Sequence, residues 1–157
     1  MNFKIISPQK LKSILAKKKH QKVVFTNGCF DLLHAGHVSY LSKAKKLGDI
    51  LVVALNSDAS VRKIKGPKRP LVPLKYRAQV IAALACVDYV TAFSEPTPLK
   101  LITYLKPDRL VKGADWKQGD IVGASVVRSH GGSIHTLRYL SGHSTTKLIE
   151  QMIKRYP

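Results

Sequence analysis

Residues 22–55 read KVVFTNGCFDLLHAGHVSYLSKAKKLGDILVVAL, with an apolar run at each end. Lys22 to Phe25 and Asp49 to Leu55 have the unbroken aliphatic and aromatic character of strands covered on both faces, the mark of a parallel sheet. Between them, Thr26 to Leu33 reads as a glycine-containing turn and His37 to Leu47 as a helix closed by Gly48. That is a βαβ unit. In sheets built from such units, ligands collect beyond the C-terminal ends of the strands, where the strand order reverses. The turn after the first strand is therefore the first place to look for chemistry.

The pattern continues on both sides. Upstream, Ser7 is a helix N-cap, Pro8 suits the first helical position, and Leu11, Ile14 and Leu15 fall at helical spacing up to Lys17-Lys18-Lys19. Downstream, Leu74 to Leu84, Pro98 to Leu105, Ile121 to Ser129 and Ser144 to Lys154 fit helices. Val87 to Ala92, Arg109 to Lys112 and Ser133 to Leu137 fit strands, and Gly131-Gly132 a turn. Ser57 to Pro73 is basic and rich in Pro and Gly, which predicts a loop of low intrinsic order. Alternation of strand and helix predicts an α/β fold: one doubly wound domain with a mostly parallel five-stranded sheet. We expect residues 1–22 to be a basic helical extension and 23–157 the domain itself. The length of 157 residues suits one domain rather than two.

Composition narrows the class. Apolar residues make up 45% and charged residues 23%, as in an ordinary globular chain. No apolar run approaches a bilayer span, and the Lys-rich start lacks the apolar core of a secretory signal, so a soluble, cytoplasmic protein without membrane insertion is expected. Cys29 and Cys86 form neither a disulfide framework nor a zinc set. The net charge of +18 is unusual. Residues 1–22 and 62–77 each hold seven Lys or Arg and no acid, so two segments account for most of the excess. Such a surface attracts polyanions, but charge alone does not choose among nucleic acid, acidic membrane and nucleoside triphosphate.

The first turn is more selective. It has neither G-x-x-x-x-G-K-[ST] nor G-x-G-x-x-G, which disfavours a P-loop kinase and a dinucleotide dehydrogenase. It places His34 and His37 three residues apart at a helix start, on one face, with Gly36 between them. Two imidazoles beside the unpaired N–H groups of a helix N-terminus make a site for phosphate, and a bound phosphate would raise both imidazole pKa values. The ordinary alternative is a pair of surface or capping histidines. A zinc site of Cys29, His34 and His37 lacks a fourth ligand and sits in basic surroundings. A Cys29 nucleophile is weaker still, because an apolar neighbourhood suits a small buried thiol.

The stretch TNGCFDLLHAGHVSYL, Thr26 to Leu41, resembles the HxGH nucleotidyltransferases of the cytidylyltransferase-like superfamily. Ala54 to Ser60, Lys65-Gly66 with Arg69-Pro70, Val87-Asp88, Thr97-Pro98, Val111 to Asp115 and Ser144-Thr145-Thr146 follow in the family's order, so the likeness covers Val23 to about Ile153. Within the superfamily the chain is most similar to the adenylyltransferases that activate D-glycero-D-manno-heptose 1-phosphate. The resemblance implies a Rossmann-like fold and transfer of AMP from ATP to a sugar 1-phosphate. His34 and His37 would stabilise charge at the α-phosphorus, with Lys65 as the leading cation of the basic loop. Thr26, Asn27, Gly28, Cys29, Phe30 and Gly36 would line the nucleotide, joined by Lys112, Gly113 and Asp115 after a later strand and by Ser144, Thr145 and Thr146 at a helix start. Lys63, Arg69 and Arg77 would close over phosphates, and Asp31 would orient the acceptor or support a histidine. Each has an ordinary counterpart: a solvated charge run, an N-cap, an Asx turn. His143 stands where the family usually has an apolar residue or Cys.

The resemblance also implies Mg²⁺ carried in with ATP, a separate sugar kinase upstream, and a homodimer. No carboxylate cluster in the sequence would hold the metal independently. The nearest rival is a cytidylyltransferase acting on glycerol 3-phosphate or a related polyol phosphate. Against it, Asn56 to Ser60 and Lys112 to Trp116 look closer to the heptose enzymes, and Ala85-Cys86 replaces a basic residue. A nucleic-acid-binding module is a rival from another class. Its four Phe, six Tyr and one Trp are scattered rather than interleaved with the basic runs, so no specific nucleic acid is expected.

Overall fold

The computed structural model describes residues 3–114, 120–138, 140 and 144–156. Its first helix, α1 (Pro8–Ala16), is capped by Ser7, whose side chain accepts from the Lys10 backbone N–H. Strands β1 (Val23–Gly28), β2 (Ile50–Asn56), β3 (Tyr89–Phe93), β4 (Arg109–Gly113) and β5 (Ser133–Leu137) form one sheet in the order β3-β2-β1-β4-β5. Every pairing is parallel, so the expected mostly parallel sheet is parallel throughout. The order reverses beside β1, which makes the β1/β4 junction the switch point.

Side-chain alternation along β2 shows why its sequence is unbroken. Ile50, Val52 and Ala54 enter one apolar cluster with Leu11 and Leu15 of α1. On the same face lie α5 (Leu99–Leu105) and α6 (Ala124–Ser129), contributing Leu101, Ile102 and Val127. Leu51, Val53 and Leu55 enter a second cluster with Tyr40, Leu41 and Ala44 of α2 (Ala35–Lys45) and Ile81 of α4 (Leu74–Ala83). Both faces are covered, so no polar alternation is tolerated. The basic N-terminal stretch packs onto the domain, Leu11 being fully buried. Residues just before it bond to the sheet edge, Ile6 N donating to Val90 O at 3.0 Å and Val90 N to Lys4 O at 2.8 Å.

Three expectations about elements are corrected. Thr26 to Gly28, expected to begin the turn, complete β1 in register with Val53 to Leu55. The buried Thr26 hydroxyl pairs with Tyr40 Oη at 2.8 Å, so a polar residue continues the strand at no cost in unmet hydrogen bonds. The segment 57–73, expected as a loop, contains α3 (Asp58–Lys65). Ser57 caps it, Asp58 sits in the first turn and Arg62, Lys63 and Lys65 in the last, all in the sense that complements the helix dipole, while Val61 is fully buried. The helix expected from Ile121 begins at Ala124, after Gly123 at φ +87°. A Cβ on Gly123 would fall 2.7 Å from Ile102 Cδ1, so this tight turn requires glycine. The chain ends in α7 (Thr145–Arg155).

Candidate functional site

A cleft of about 630 Å³ opens at the C-terminal ends of the strands, over the switch point. Asn27 and Gly28 of β1, Lys112 and Gly113 of β4, and Asn56 of β2 form its floor. Lys112 Nζ donates to Asn27 Oδ1 at 2.5 Å, tying the two strand ends that flank the junction. Above the floor the β1–α2 turn brings Cys29, Phe30 and Asp31. Phe30 is left-handed at φ +45°, a costly backbone for a bulky residue and one that accumulates at functional turns. Gly28 permits it: a Cβ there would meet Phe30 Cε2 at 2.9 Å.

Both histidines face this cleft. His34 is the N-cap of α2 with extended backbone and makes no side-chain cap bond, so the first N–H groups of α2 are left to other acceptors. Its ring stacks on His37 with centroids 3.9 Å apart and planes at 23°, and Phe30 leans on His37 at 5.1 Å. Burial pushes the His37 pKa down to about 4, with His34 adding to the fall and the Leu32 backbone opposing it. His37 is therefore neutral at pH 7. Its Nδ1 is buried without a hydrogen-bond partner among the described residues, a polar atom that calls for an acceptor or donor from outside.

A second helix start closes the other side. Ser144 caps α7 by accepting from Lys147 N at 3.2 Å, and Thr145 Oγ1 donates to Leu32 O at 3.5 Å, which ties α7 to the His-bearing turn. Ser144, Thr145 and Thr146 all line the cleft, so the positive ends of two helices flank one space. Lys65 reaches it from the end of α3.

The basic loop separates into residues with different work. Arg77, expected at the phosphates, lies away from the cleft with its side chain fully buried. It donates from Nε to Val72 O at 2.9 Å, from Nη1 to Cys29 O at 2.6 Å, and from Nη2 to Asn56 O at 2.9 Å and Asp58 Oδ1 at 2.6 Å. Four acceptors from three segments take four of its five N–H donors inside a fully buried site, so it holds the fold rather than a ligand. Asp31, expected to orient the acceptor, lines the cleft with a side chain only 1% exposed. Its carboxylate accepts from Arg69 Nε at 2.6 Å, Leu71 N at 2.9 Å and Val72 N at 2.8 Å. Burial alone would raise its pKa, but these donors hold it below the usual carboxylate value. Lys63 is exposed and outside the cleft lining, and Gly36 is buried within α2. Thr26 is buried beneath the floor. Asp115, with Trp116 and His143, lies outside the described residues.

Burial pushes the Cys29 thiol up, against the pull of Lys65, Arg77 and Arg69, so it is not a ready thiolate. Tyr40, Asn56 and the Pro96 to Pro98 segment also line the cleft, although the sequence reading attached no role to them. Tyr40 was within reach of helical spacing, three residues beyond His37 on the same face. Asn56, which ends an apolar strand, lay within the Ala54 to Ser60 stretch that carries the family resemblance, but nothing local pointed its side chain to the cleft. Among the described residues, no group of three or more His, Cys, Asp or Glu could hold a metal ion, and no helix is long and apolar enough to cross a membrane.

Paired imidazoles and two helix starts around the switch point of a doubly wound sheet define a protein of the nucleotide-handling α/β class. Comparison with known proteins narrows this. The cytidylyltransferase-like family model matches residues 25–151, and the chain belongs to that family; it is a nucleotidyltransferase. It is 53% identical over 155 residues to the bifunctional protein HldE of Trichlorobacter lovleyi, covering 98% of this chain and 32% of that one. Against bifunctional protein HldE of Helicobacter pylori it is 53% identical over 152 residues, covering 97% and 31%. The chain thus spans about a third of the length of these relatives. Among solved structures, a lipopolysaccharide core biosynthesis protein from Thermoplasma volcanium matches at TM-score 0.64 and 30% identity, covering 76% of this chain and 97% of that one. A pantoate-beta-alanine ligase from Francisella tularensis matches at TM-score 0.61 and 20% identity, over 92% and 75%, a likeness of fold.

Proposed function

We propose that this chain transfers AMP from ATP to a sugar 1-phosphate, D-glycero-D-manno-heptose 1-phosphate, releasing pyrophosphate and ADP-heptose. The observation that carries it is the stacked His34–His37 pair at the start of α2, facing the Ser144 to Thr146 start of α7 across one cleft. The identity to the HldE relatives over nearly the whole chain, together with the lipopolysaccharide-related neighbour, supports the heptose assignment over other sugars.

In this reading an oxygen of the sugar 1-phosphate, already anionic, attacks the α-phosphorus of ATP in line. The new P–O bond forms as the α–β anhydride bond breaks, and pyrophosphate leaves with the bonding electrons. No general base is required. The work of the protein is positioning and neutralisation of charge on phosphate oxygens. His34 and His37 donate to the α- and β-phosphate oxygens, and the approach of that anion favours the protonated form of His37 that burial otherwise disfavours. The free N–H groups of α2 and α7, with the Thr145 and Thr146 hydroxyls, take further oxygens. Lys65 supplies mobile positive charge from the rim, and Asn27, Gly28, Cys29, Phe30, Lys112 and Gly113 shape the nucleotide's bed. Among the described residues, Asp31 is the acid in the cleft lining, and it is taken up by Arg69 and two backbone N–H groups, so these residues do not fit a dedicated Mg²⁺ site. In this reading Mg²⁺ would be carried in with the nucleotide and would help neutralise its phosphates.

Residues 23–157 form the transferase domain in this reading, with 1–22 a basic extension packed against it, and a sugar kinase outside this chain supplies the acceptor. Use of ATP suits the cytoplasm. The test is pyrophosphate release with ATP or CTP against heptose 1-phosphate, glucose 1-phosphate and glycerol 3-phosphate. Release with ATP and heptose 1-phosphate is expected; release only with CTP and glycerol 3-phosphate would replace the proposal by a polyol-phosphate cytidylyltransferase.

A further inference from the structure

Asp31 is usually the kind of residue assigned to substrate: an acid in the turn that carries the histidines, at the edge of the cleft. Its geometry gives it another task. Both carboxylate oxygens accept from Leu71 N at 2.9 Å, one also accepts from Val72 N, and the other takes Arg69 Nε. A carboxylate filled this way has little left for a ligand. It does fix the direction of Arg69. That side chain is 18% exposed and lines the cleft, and Nε is its one hydrogen-bond donor in use among the described residues. A guanidinium is planar, so fixing Nε leaves the two outer nitrogens as a fork, the geometry that grips phosphate oxygens in pairs.

The surroundings explain why an anchor is needed. Upstream, Lys65, Pro67 and Lys68 are exposed on a strap, and Gly66 within it, at φ +93°, has open space around its Cβ position. Downstream, Arg77 holds Val72 O and Cys29 O, so the 72 end is joined to the turn independently. Asp31 is the joint between the strap and the His34–His37 turn. We propose that Asp31 is a positioning residue that presents the Arg69 fork to a phosphate of a bound substrate, in fixed register with the two histidines. This rests on the cleft being the transfer site proposed above, and it predicts an energetic coupling that the proposed function alone does not.

The experiment is a double-mutant cycle of Asp31→Asn and Arg69→Ala, with Arg69→Lys as a third variant. KM and kcat are read for ATP and for the sugar 1-phosphate, and dissociation constants for each by calorimetry. Loss of a charge-assisted contact should weaken one of the two substrates roughly 10- to 100-fold and leave the other within a few-fold. Which substrate weakens tells whether the fork meets the triphosphate or the acceptor phosphate. Asp31→Asn should weaken the same substrate, and the double variant should be no worse than Arg69→Ala. Arg69→Lys should not restore binding, since its single ammonium is spent on Asp31. Additive losses, equal losses for both substrates, or Arg69→Ala with unchanged constants would overturn the assignment. Should Asp31→Asn fail to fold, the Arg69→Ala and Arg69→Lys pair still decides. A wild-type protein that binds ATP but releases no pyrophosphate would instead defeat the proposed function, and the calorimetric arm would still judge the fork.

Discussion

Replacing Arg77 by Met separates a cation that builds the fold from the cations that meet substrate. The Met side chain roughly keeps the aliphatic volume and removes the guanidinium, leaving the Val72, Cys29 and Asn56 carbonyls and one Asp58 oxygen without their donor. Breaking a buried ion pair from one side costs about 3–5 kcal/mol, and each stranded buried acceptor about 1–3 kcal/mol. These do not add in full. Asp58 is 32% exposed and also receives Leu74 N, so water and a remaining donor relieve part of the loss. A net cost of about 4 kcal/mol is the balanced figure. For a chain of this size each kcal/mol moves Tm by about 2–4 °C, so Arg77→Met should melt roughly 8–16 °C below wild type. Thermal unfolding followed by circular dichroism reads this directly, with Lys65→Met as the control. Lys65 is exposed at the cleft, and its variant should melt within about 2 °C of wild type. If Arg77→Met melts like wild type while losing turnover, the guanidinium serves a ligand and the account of the basic loop is wrong.

Turnover supplies the complementary predictions. His34→Ala and His37→Ala should each lower kcat roughly 10²- to 10³-fold, as expected for removing a donor to developing charge; near-normal turnover in either would contradict their roles. Lys65→Ala should reduce kcat/KM at least about tenfold without a matching fall in Tm. Binding of ATP near pH 7 should take up protons, because His37 starts neutral; calorimetry in buffers of different ionisation heat measures the count, and a zero count in wild type refutes the linkage. Stability should also fall with pH. Above 6.5 the His37 ring is neutral in both folded and unfolded chains. Between 6.5 and about 4 the unfolded chain takes the proton more readily, so stability drops as pH falls through that window, with His135 acting in the same sense. Melting temperature against pH should be flatter there for His37→Gln. Below the ordinary Asp value, protonation of Asp31 adds a separate loss, since its folded pKa is lowered.

The legibility of this fold follows burial. Strands β1 and β2 pass through the middle of a sheet covered on both faces, and Val23 to Phe25 and Ile50 to Leu55 carry the unbroken apolar signature of that place, whereas central β4 shows only buried Leu110 and Val111 between Arg109 and Lys112. The extension of β1 through Thr26 to Gly28 was hidden because its polar side chains are satisfied at a distance, Thr26 by Tyr40 fourteen positions on and Asn27 by Lys112 of β4, rather than by anything nearby in sequence. Helix α3 was hidden for the opposite reason. It buries little beyond Ser60 and Val61, so its basic composition read as loop, although Ser57 and Asp58 carried the start signal.

At the site the division is the same in kind. His34 and His37 were legible because a helix start is a local event and its marking residues also line the cleft, whereas Ser144 to Thr146 read locally as an ordinary N-cap and only the family resemblance drew them out. Arg69 and Arg77 look alike in a basic run, and no local rule says which is buried. That depends on acceptors placed by distant segments: Asp31 lies 38 residues from Arg69, and Cys29 lies 48 from Arg77. The acid and the cation are mutually dependent across that gap. Asp31 could serve as a ligand's partner only if the 69–72 segment were elsewhere, and Arg77 could reach a phosphate only by leaving four protein acceptors. A basic run thus reports the sign of the field over a cleft; which of its members touch substrate is set by the competition of backbone carbonyls and carboxylates for the same donors.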